Sequence, residues 1–150
     1  MHFIRRGGTY CRVADPAWQN PLDSSYALRS GGRWNSPGSF PVVYLNRDLR
    51  MARANVARKF RGLPYGPELL RSEEAPILIE ASVPDSEYVD ILTDGGCADV
   101  GLPVTYPKRP DGSEVNWTEC QAIGQEAWTR GCQGIACRSA APGADRTRGA

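Results

Sequence analysis

Four short segments of this 150-residue chain set an arginine, a tyrosine or a serine beside a strand or a glycine turn. They are Tyr10-Cys11-Arg12-Val13, Gly31-Gly32-Arg33-Trp34-Asn35, Val43-Tyr44-Leu45 and Gly134-Ile135-Ala136-Cys137-Arg138-Ser139-Ala140. Arginine is costly to bury and stays outside unless paired. Arg12 and Arg138 nevertheless lie where strand side chains tend to be half buried. Arginines meeting there would make a bidentate clamp for phosphate. Gly31-Gly32 would let backbone approach a ligand closely, and Trp34 and Tyr44 could stack on a heteroaromatic ring. Each residue taken alone also has a plainer reading. Gly31-Gly32 makes a turn, Trp34 and Tyr44 fill a core, Arg12 and Arg138 pair with acids, and Ser139 caps a turn.

Much other chemistry is excluded by the rare residues. The one histidine is His2, near the N-terminus, so a Ser-His-Asp triad, a Cys-His dyad, an HExxH zinc site and a histidine base are all ruled against. Cys11, Cys97, Cys120, Cys132 and Cys137 form no CxxC, and their odd number in a chain without a secretory leader argues for buried thiols over disulfides or zinc. Neither GxxxxGK[ST] nor GxGxxG occurs. No apolar run approaches the ~18 residues of a membrane span, so the expected compartment is the cytoplasm.

Charge is divided along the chain. Residues 1–71 carry 12 basic and 4 acidic side chains, whereas residues 72–150 carry 6 and 13. Of the 18 cations all but Lys59 and Lys108 are arginine, which suits planar recognition of phosphate and carboxylate. The basic half suits an anionic ligand; equally, two solvated faces could attract each other.

The elements that must position these residues belong to a mixed α+β domain with few helices. Strands are expected at Tyr10–Val13, Pro41–Leu45, Pro76–Val83, Tyr88–Leu92 and Gly134–Cys137. Residues 14–40, rich in Pro, Ser, Gly and Asn, read as a long loop ordered by Trp18 and Trp34. Residues 47–61 read as a helix capped by Asn46 or Asp48 and ended by Gly62, with Leu49, Ala52, Val56 and Phe60 as its apolar stripe. Gly95–Gly112 reads as loop, Trp117–Arg130 as a helix ended by Gly131, and 142–150 as a frayed tail.

The order of the four segments resembles the RES domain, the toxin half of a bacterial toxin–antitoxin family. The resemblance covers about residues 9–141 and makes the chain a single domain. It rests on the early strand with Arg12, the Gly-Gly-Arg-Trp-Asn-x-Pro-Gly run at 31–38, Pro41-Val42-Val43-Tyr44 with the helix after it, and Gly-Ile-x-x-Arg-Ser-Ala at 134–140. It implies a fold like that of ADP-ribosyltransferases, with small mixed sheets, and cleavage of NAD at the nicotinamide–ribose bond with water or phosphate as acceptor. It also implies a helix-turn-helix antitoxin of Xre type covering the active site, and contact with nucleic acid only through that antitoxin; no metal is expected, because five unclustered cysteines and one terminal histidine give no ligand set of recognised spacing. Self-association into a homodimer is a further expectation. By position the family's Arg falls on Arg12, its glycine-run Arg on Arg33, its Tyr on Tyr44 and its Ser on Ser139. Gly32, Trp34 and Arg138 complete the expected NAD-binding set. Arg12 and Arg33 would hold pyrophosphate or attacking phosphate, Tyr44 would pack on nicotinamide or ribose, and Ser139 would bond a ribose hydroxyl or phosphate. Such cleavage passes through an oxocarbenium-like state, and nicotinamide leaves neutral, so no strong acid is needed.

One position departs from the family. Its glutamate belongs eleven residues after Tyr44, where this chain has Asn55. Asparagine keeps the size and the hydrogen bonds but loses the charge that would oppose the oxocarbenium. Either catalysis is weak, or another carboxylate such as Glu80 substitutes. Alternatively the chain performs ADP-ribosyl transfer or a biosynthetic reaction, or binds NAD or a partner without cleaving. A fourth alternative is a nucleic-acid surface on Arg47, Arg50, Arg53, Arg58 and Arg61.

Overall fold

The computed structural model describes residues 1–140, and the tail expected at 142–150 lies outside them. The fold is mixed α+β. In chain order the elements are β1 (Phe3–Ala14), α1 (Ser25–Ser30), α2 (Leu49–Lys59), β2 (Ile77–Ile91), α3 (Asp94–Asp99), α4 (Trp117–Thr129) and β3 (Ile135–Cys137), with a 3-10 turn at Pro67–Leu69. The strands form one sheet in the order β1-β2-β3, with β2 and β3 parallel and Val89, Asp90 and Ile91 opposite Ile135, Ala136 and Cys137.

The chain divides into two compact units that interleave in sequence. Unit 1 comprises Met1–Gly8, Ser24–Val43 and Pro84–Arg138; unit 2 comprises Thr9–Asp23, Tyr44–Val83 and the segment from Ser139. Unit 1 holds most of the fully buried side chains: Val89, Ile91, Cys97, Tyr106, Val115 and Cys120. Tyr88 to Ile91 is buried at four consecutive positions, the pattern of a strand covered on both faces rather than one alternating toward water. Asp90 lies in that run and is only 5% exposed. Burial pushes its carboxyl up, but hydrogen bonds from Thr93 and from the Leu92 amide outweigh this and hold it below the ordinary carboxylate value.

In unit 2, α2 starts at Asp48, whose side chain accepts from the Met51 amide at 2.9 Å. Arg58 and Lys59 sit in its last turn, where cations suit the helix dipole. Its inner side buries Ala52 completely, and Leu49, Val56 and Ala57 line a groove of about 460 Å³ with Val13, Pro76 and Leu78.

Several expectations change. The strand at 41–45 does not form. One antiparallel bridge between Cys11 and Asn46 stands in its place, with Cys11 N–H to Asn46 O at 2.7 Å and the return bond at 2.6 Å. Pro41 has no N–H to offer a ladder. The two strands expected at 76–83 and 88–92 are one continuous β2, because Pro84 and Asp85 stay extended within it. The loops 14–40 and 95–112 each contain a short helix, α1 and α3. The helix expected over 117–130 forms as α4, with Asn116 accepting from the Glu119 amide at 3.0 Å. Only Cys97 and Cys120 of the five thiols are buried; Cys11, Cys132 and Cys137 are intermediate.

Candidate functional site

Arg12 sits near the end of β1 and is 7% exposed. Its guanidinium carbon lies 5.1 Å from the Trp18 ring centroid, and Nη2 donates to the Asp23 carbonyl at 3.3 Å. Nη1 is buried with no hydrogen-bond partner among the described residues. Burial lowers the guanidinium pKa, and nearby Asp23 opposes that shift. An indole face attracts a cation through its quadrupole but accepts no in-plane N–H. The arrangement therefore holds a planar cation with a free donor edge, which suits a phosphate oxygen.

The residues around Arg12 in unit 2 explain Asn55. Asn46, bridged to Cys11 by backbone, also donates its side-chain amide to the Cys11 carbonyl at 3.4 Å. Asn55, half-buried on α2, donates Nδ2 to Asn46 Oδ1 in a short contact. Asn55 is thus tied through Asn46 to the residue preceding Arg12. Tyr44 and Ser139 are both partly buried, and Glu80 is exposed on β2.

In unit 1 the glycine run makes a tight turn. Gly31 has φ of +70°, and a Cβ there would meet the Pro37 ring at 2.7 Å. The close approach that Gly31 permits is to Pro37 of its own chain. Gly32 N–H donates to the Asn35 carbonyl at 2.9 Å, and the fully buried Asn35 amide donates to Ala27 O at 2.7 Å and Phe40 O at 3.3 Å. Arg33, projecting from this turn, has its guanidinium carbon 5.9 Å from the Trp117 ring centroid. Both its Nη atoms are buried without a hydrogen-bond partner among the described residues. Burial raises the pKa of the Cys120 thiol against the opposing pull of the Arg33 cation, and burial raises Cys137 to about 11. Both are thiols, not thiolate nucleophiles, at neutral pH.

Two expected ligand residues have other work. Trp34 is 6% exposed, with its ring 6.0 Å from that of the fully buried Tyr106. Its indole belongs to the core of unit 1 and offers no open face for a ligand ring; it anchors the turn that carries Arg33. Arg138 spends its donors on the protein. Nε donates to Leu92 O at 2.8 Å, Nη1 to Val104 O at 2.6 Å and Tyr106 O at 3.2 Å, and Nη2 to Asp94 at 2.6 Å. It pins the loop after β2 and the segment after α3.

Trp18, Trp117, Asn46 and Gln121 were not read from sequence as site residues: Trp18 was expected to order a loop and Asn46 to cap a helix. Only Gln121 and Trp117 had a usable signal, since 117, 120, 121 and 124 share one helical face. Among the described residues no three His, Cys, Asp or Glu side chains are grouped to hold a metal, and no helix is long and apolar enough to cross a membrane.

The molecule is thus an α+β protein that keeps two arginines, one in each unit, stacked on indoles and short of acceptors. It belongs to the RES domain family, whose profile matches residues 9–147. It is 31% identical over 119 residues to the NAD(+) phosphorylase MbcT of Mycobacterium tuberculosis strain H37Rv, and equally to that of Mycobacterium bovis. Those alignments take in 79% of this chain, which spans 61% of the length of these curated relatives. The structure is similar to that in the M. tuberculosis MbcT–MbcA toxin–antitoxin complex, with a TM-score of 0.75 and 30% identity over 93% of this chain and 72% of that one.

Proposed function

We propose that this chain is a single RES domain that degrades NAD as a cytoplasmic bacterial toxin, breaking the nicotinamide–ribose bond and passing the ribosyl carbon to phosphate. In that step the C–N bond breaks, nicotinamide leaves with the electron pair as a neutral molecule, and a phosphate oxygen bonds to the anomeric carbon. Water as acceptor would make the same site a glycohydrolase. The observation that carries the reading is Arg12: a guanidinium almost wholly out of water, with Nη1 lacking an acceptor among the described residues, at the position where the resemblance puts the family's arginine. Burying such a donor is unfavourable by about 1–3 kcal/mol unless something completes it, and a phosphate oxygen is the natural partner. Arg33 repeats the same arrangement.

In this reading Arg12, Gly32 and Arg33 serve the phosphate groups, Tyr44 the nicotinamide or ribose, and Ser139 a ribose hydroxyl or phosphate. Asn55 stands at the position of the carboxylate that would oppose the oxocarbenium, Trp34 packs in the unit 1 core next to Arg33 in sequence, and Arg138 ties together Leu92, Asp94, Val104 and Tyr106. The partner is a helix-turn-helix antitoxin of Xre type; the name of the MbcT–MbcA complex supports an antitoxin.

A second reading has a specific observation in its favour. Asn55 is neutral and already bonded to Asn46, which suits a module that holds NAD without cleaving it. Purified protein incubated with NAD, with and without phosphate, separates the two. The enzyme releases nicotinamide faster with phosphate present, whereas the binding module leaves NAD intact yet binds it. Arg12→Ala should weaken NAD binding by ten- to a hundredfold, from the ~1.5–3 kcal/mol of a charged hydrogen bond. Unchanged affinity would remove Arg12 from the site.

A further inference from the structure

Helix α4 presents one face to the turn that carries Arg33. Its residues 117, 120, 121 and 124 recur at helical spacing. Trp117 lies under the Arg33 guanidinium. A Cβ on Gly124 would meet the Trp34 carbonyl oxygen at 1.8 Å, so the turn backbone rests directly on the helix. Gln121 makes the polar contacts. Its Nε2 donates to Gly32 O at 2.9 Å and to Asn35 O at 3.4 Å, and its Oε1 accepts from Ser36 Oγ at 3.3 Å.

We propose that Gln121 is a positioning residue for Arg33, fixing the turn on both sides of it so that the guanidinium is held ready for an anionic group of the substrate. The proposal rests on the reading that Arg33 serves a phosphate. One amide uses both its N–H groups and its carbonyl on residues 32, 35 and 36, and so brackets Arg33 and Trp34. Among the described residues Arg33 has no hydrogen-bonded carboxylate to orient it, and its Nη atoms lack acceptors. Its direction therefore comes from the turn, from Trp117 and from the neighbouring Cys120 thiol. A bound carboxylate would orient it equally well but would cancel the charge; clamping the backbone orients it and leaves the charge available. The principle is the usual one for a preorganised site, in which a neighbouring layer holds the contacting group to within a fraction of an ångström.

The test is a mutant cycle read by calorimetric titration with NAD in phosphate-free buffer, where phosphorolysis has no acceptor. Gln121→Met keeps the length and helix propensity and removes all three bonds. It should weaken NAD binding about tenfold in the parent and leave it unchanged in an Arg33→Met background, because a residue acting through Arg33 falls silent once Arg33 is gone. Ser36→Ala, which loosens the same amide, should show a smaller loss with the same silence. It serves as the second arm should Gln121→Met not fold. Melting temperatures at each corner separate affinity from folding. Equal losses in both backgrounds, or no loss in the parent, overturn the proposal and leave the role of Arg33 standing. If Arg33→Met alone leaves NAD affinity unchanged, both this proposal and the assignment of Arg33 fail.

Discussion

Arg33 and Arg138 carry the same charge in the same unit, yet replacing each by methionine should move stability in opposite directions. Arg33 has two Nη atoms buried without acceptors and one loose cation–π contact at 5.9 Å. Each unsatisfied donor is unfavourable by roughly 1–3 kcal/mol, and a cation–π contact of this quality returns about 0.5–1 kcal/mol. Arg33→Met should therefore stabilise the ligand-free protein by at least about 1 kcal/mol, a rise of roughly 2–4 °C in Tm for a chain of this size. The same substitution should weaken NAD binding ten- to a hundredfold, the loss of one charged hydrogen bond or two.

Arg138 gives the opposite account. Its ion pair with Asp94 is minor, because Asp94 is 74% exposed and such pairs contribute ~0–1 kcal/mol. The bonds to the carbonyls of Leu92, Val104 and Tyr106 matter more. Losing the part-buried bonds to Leu92 and Tyr106 leaves two acceptors stranded, while the exposed Val104 carbonyl turns to water, so Arg138→Met should destabilise by more than about 2 kcal/mol, or roughly 4–8 °C. Asp94→Ala should change stability by less than about 1 kcal/mol. Thermal melts of the three variants, with NAD titrations of those that fold, check the set. A lower Tm for Arg33→Met with unchanged NAD affinity would refute the reasoning, since Arg33 would then be serving the fold.

Asn55→Glu should raise NAD consumption by about 10²–10³-fold by restoring the charge that opposes an oxocarbenium, with the Asn46 amide turning to donate to the new carboxylate; a time course of nicotinamide release, with Tm as the folding control, checks it. A well-folded variant no faster than the parent would locate the active carboxylate elsewhere. Gly124→Ala should destabilise by more than about 3 kcal/mol, because the new methyl meets backbone and not a yielding side chain; denaturant melts measure it. Asp90 has a folded pKa below its ordinary 3.8, so its contribution is present above that value and lost as pH falls through the folded pKa. Acid titration of stability should thus show a fall below about pH 4 that is shallower in Asp90→Asn.

The helices were the legible part of the sequence. Asp48 and Asn116 stand one residue before regular apolar spacing, and each caps its helix as that pattern demands. The strands were harder, because their boundaries depend on partners far along the chain. Pro84 looked like an end to β2, yet the strand runs through it. Pro41-Val42-Val43-Tyr44-Leu45 has strand composition, but only Asn46 finds a partner, at Cys11. Short helices such as α1 and α3 hide in glycine- and serine-rich stretches, where local propensity is too weak to announce six residues.

The arginines show where composition stops informing. From the sequence Arg12, Arg33 and Arg138 were three equivalent cations beside strands or glycines. What separates them is the fate of each N–H, and that is set by carbonyls and rings brought from distant segments. For Arg138 these come from Leu92, Asp94, Val104 and Tyr106, and for Arg33 from Trp117. Arg12 meets Trp18 and the Asp23 carbonyl, only six and eleven residues on, across loop whose path the sequence does not specify. Donor accounting then sorts them by physics. A fully satisfied guanidinium ties structure together, and a buried one with unmatched donors is a standing cost to the fold that an added acceptor relieves. Asn55 follows the same logic from the other side. Its amide is already matched by Asn46, a neutral pair that needs nothing further, whereas a carboxylate in its place would need a donor and would bring charge to the helix face. The chain thus retains two cations short of acceptors, one in each unit, while giving up the one anion that the family resemblance places on α2. In the proposed reading Arg12 and Arg33 serve affinity for a phosphate-bearing ligand, and the rate of cleavage, more than the affinity, is the quantity expected to answer to Asn55.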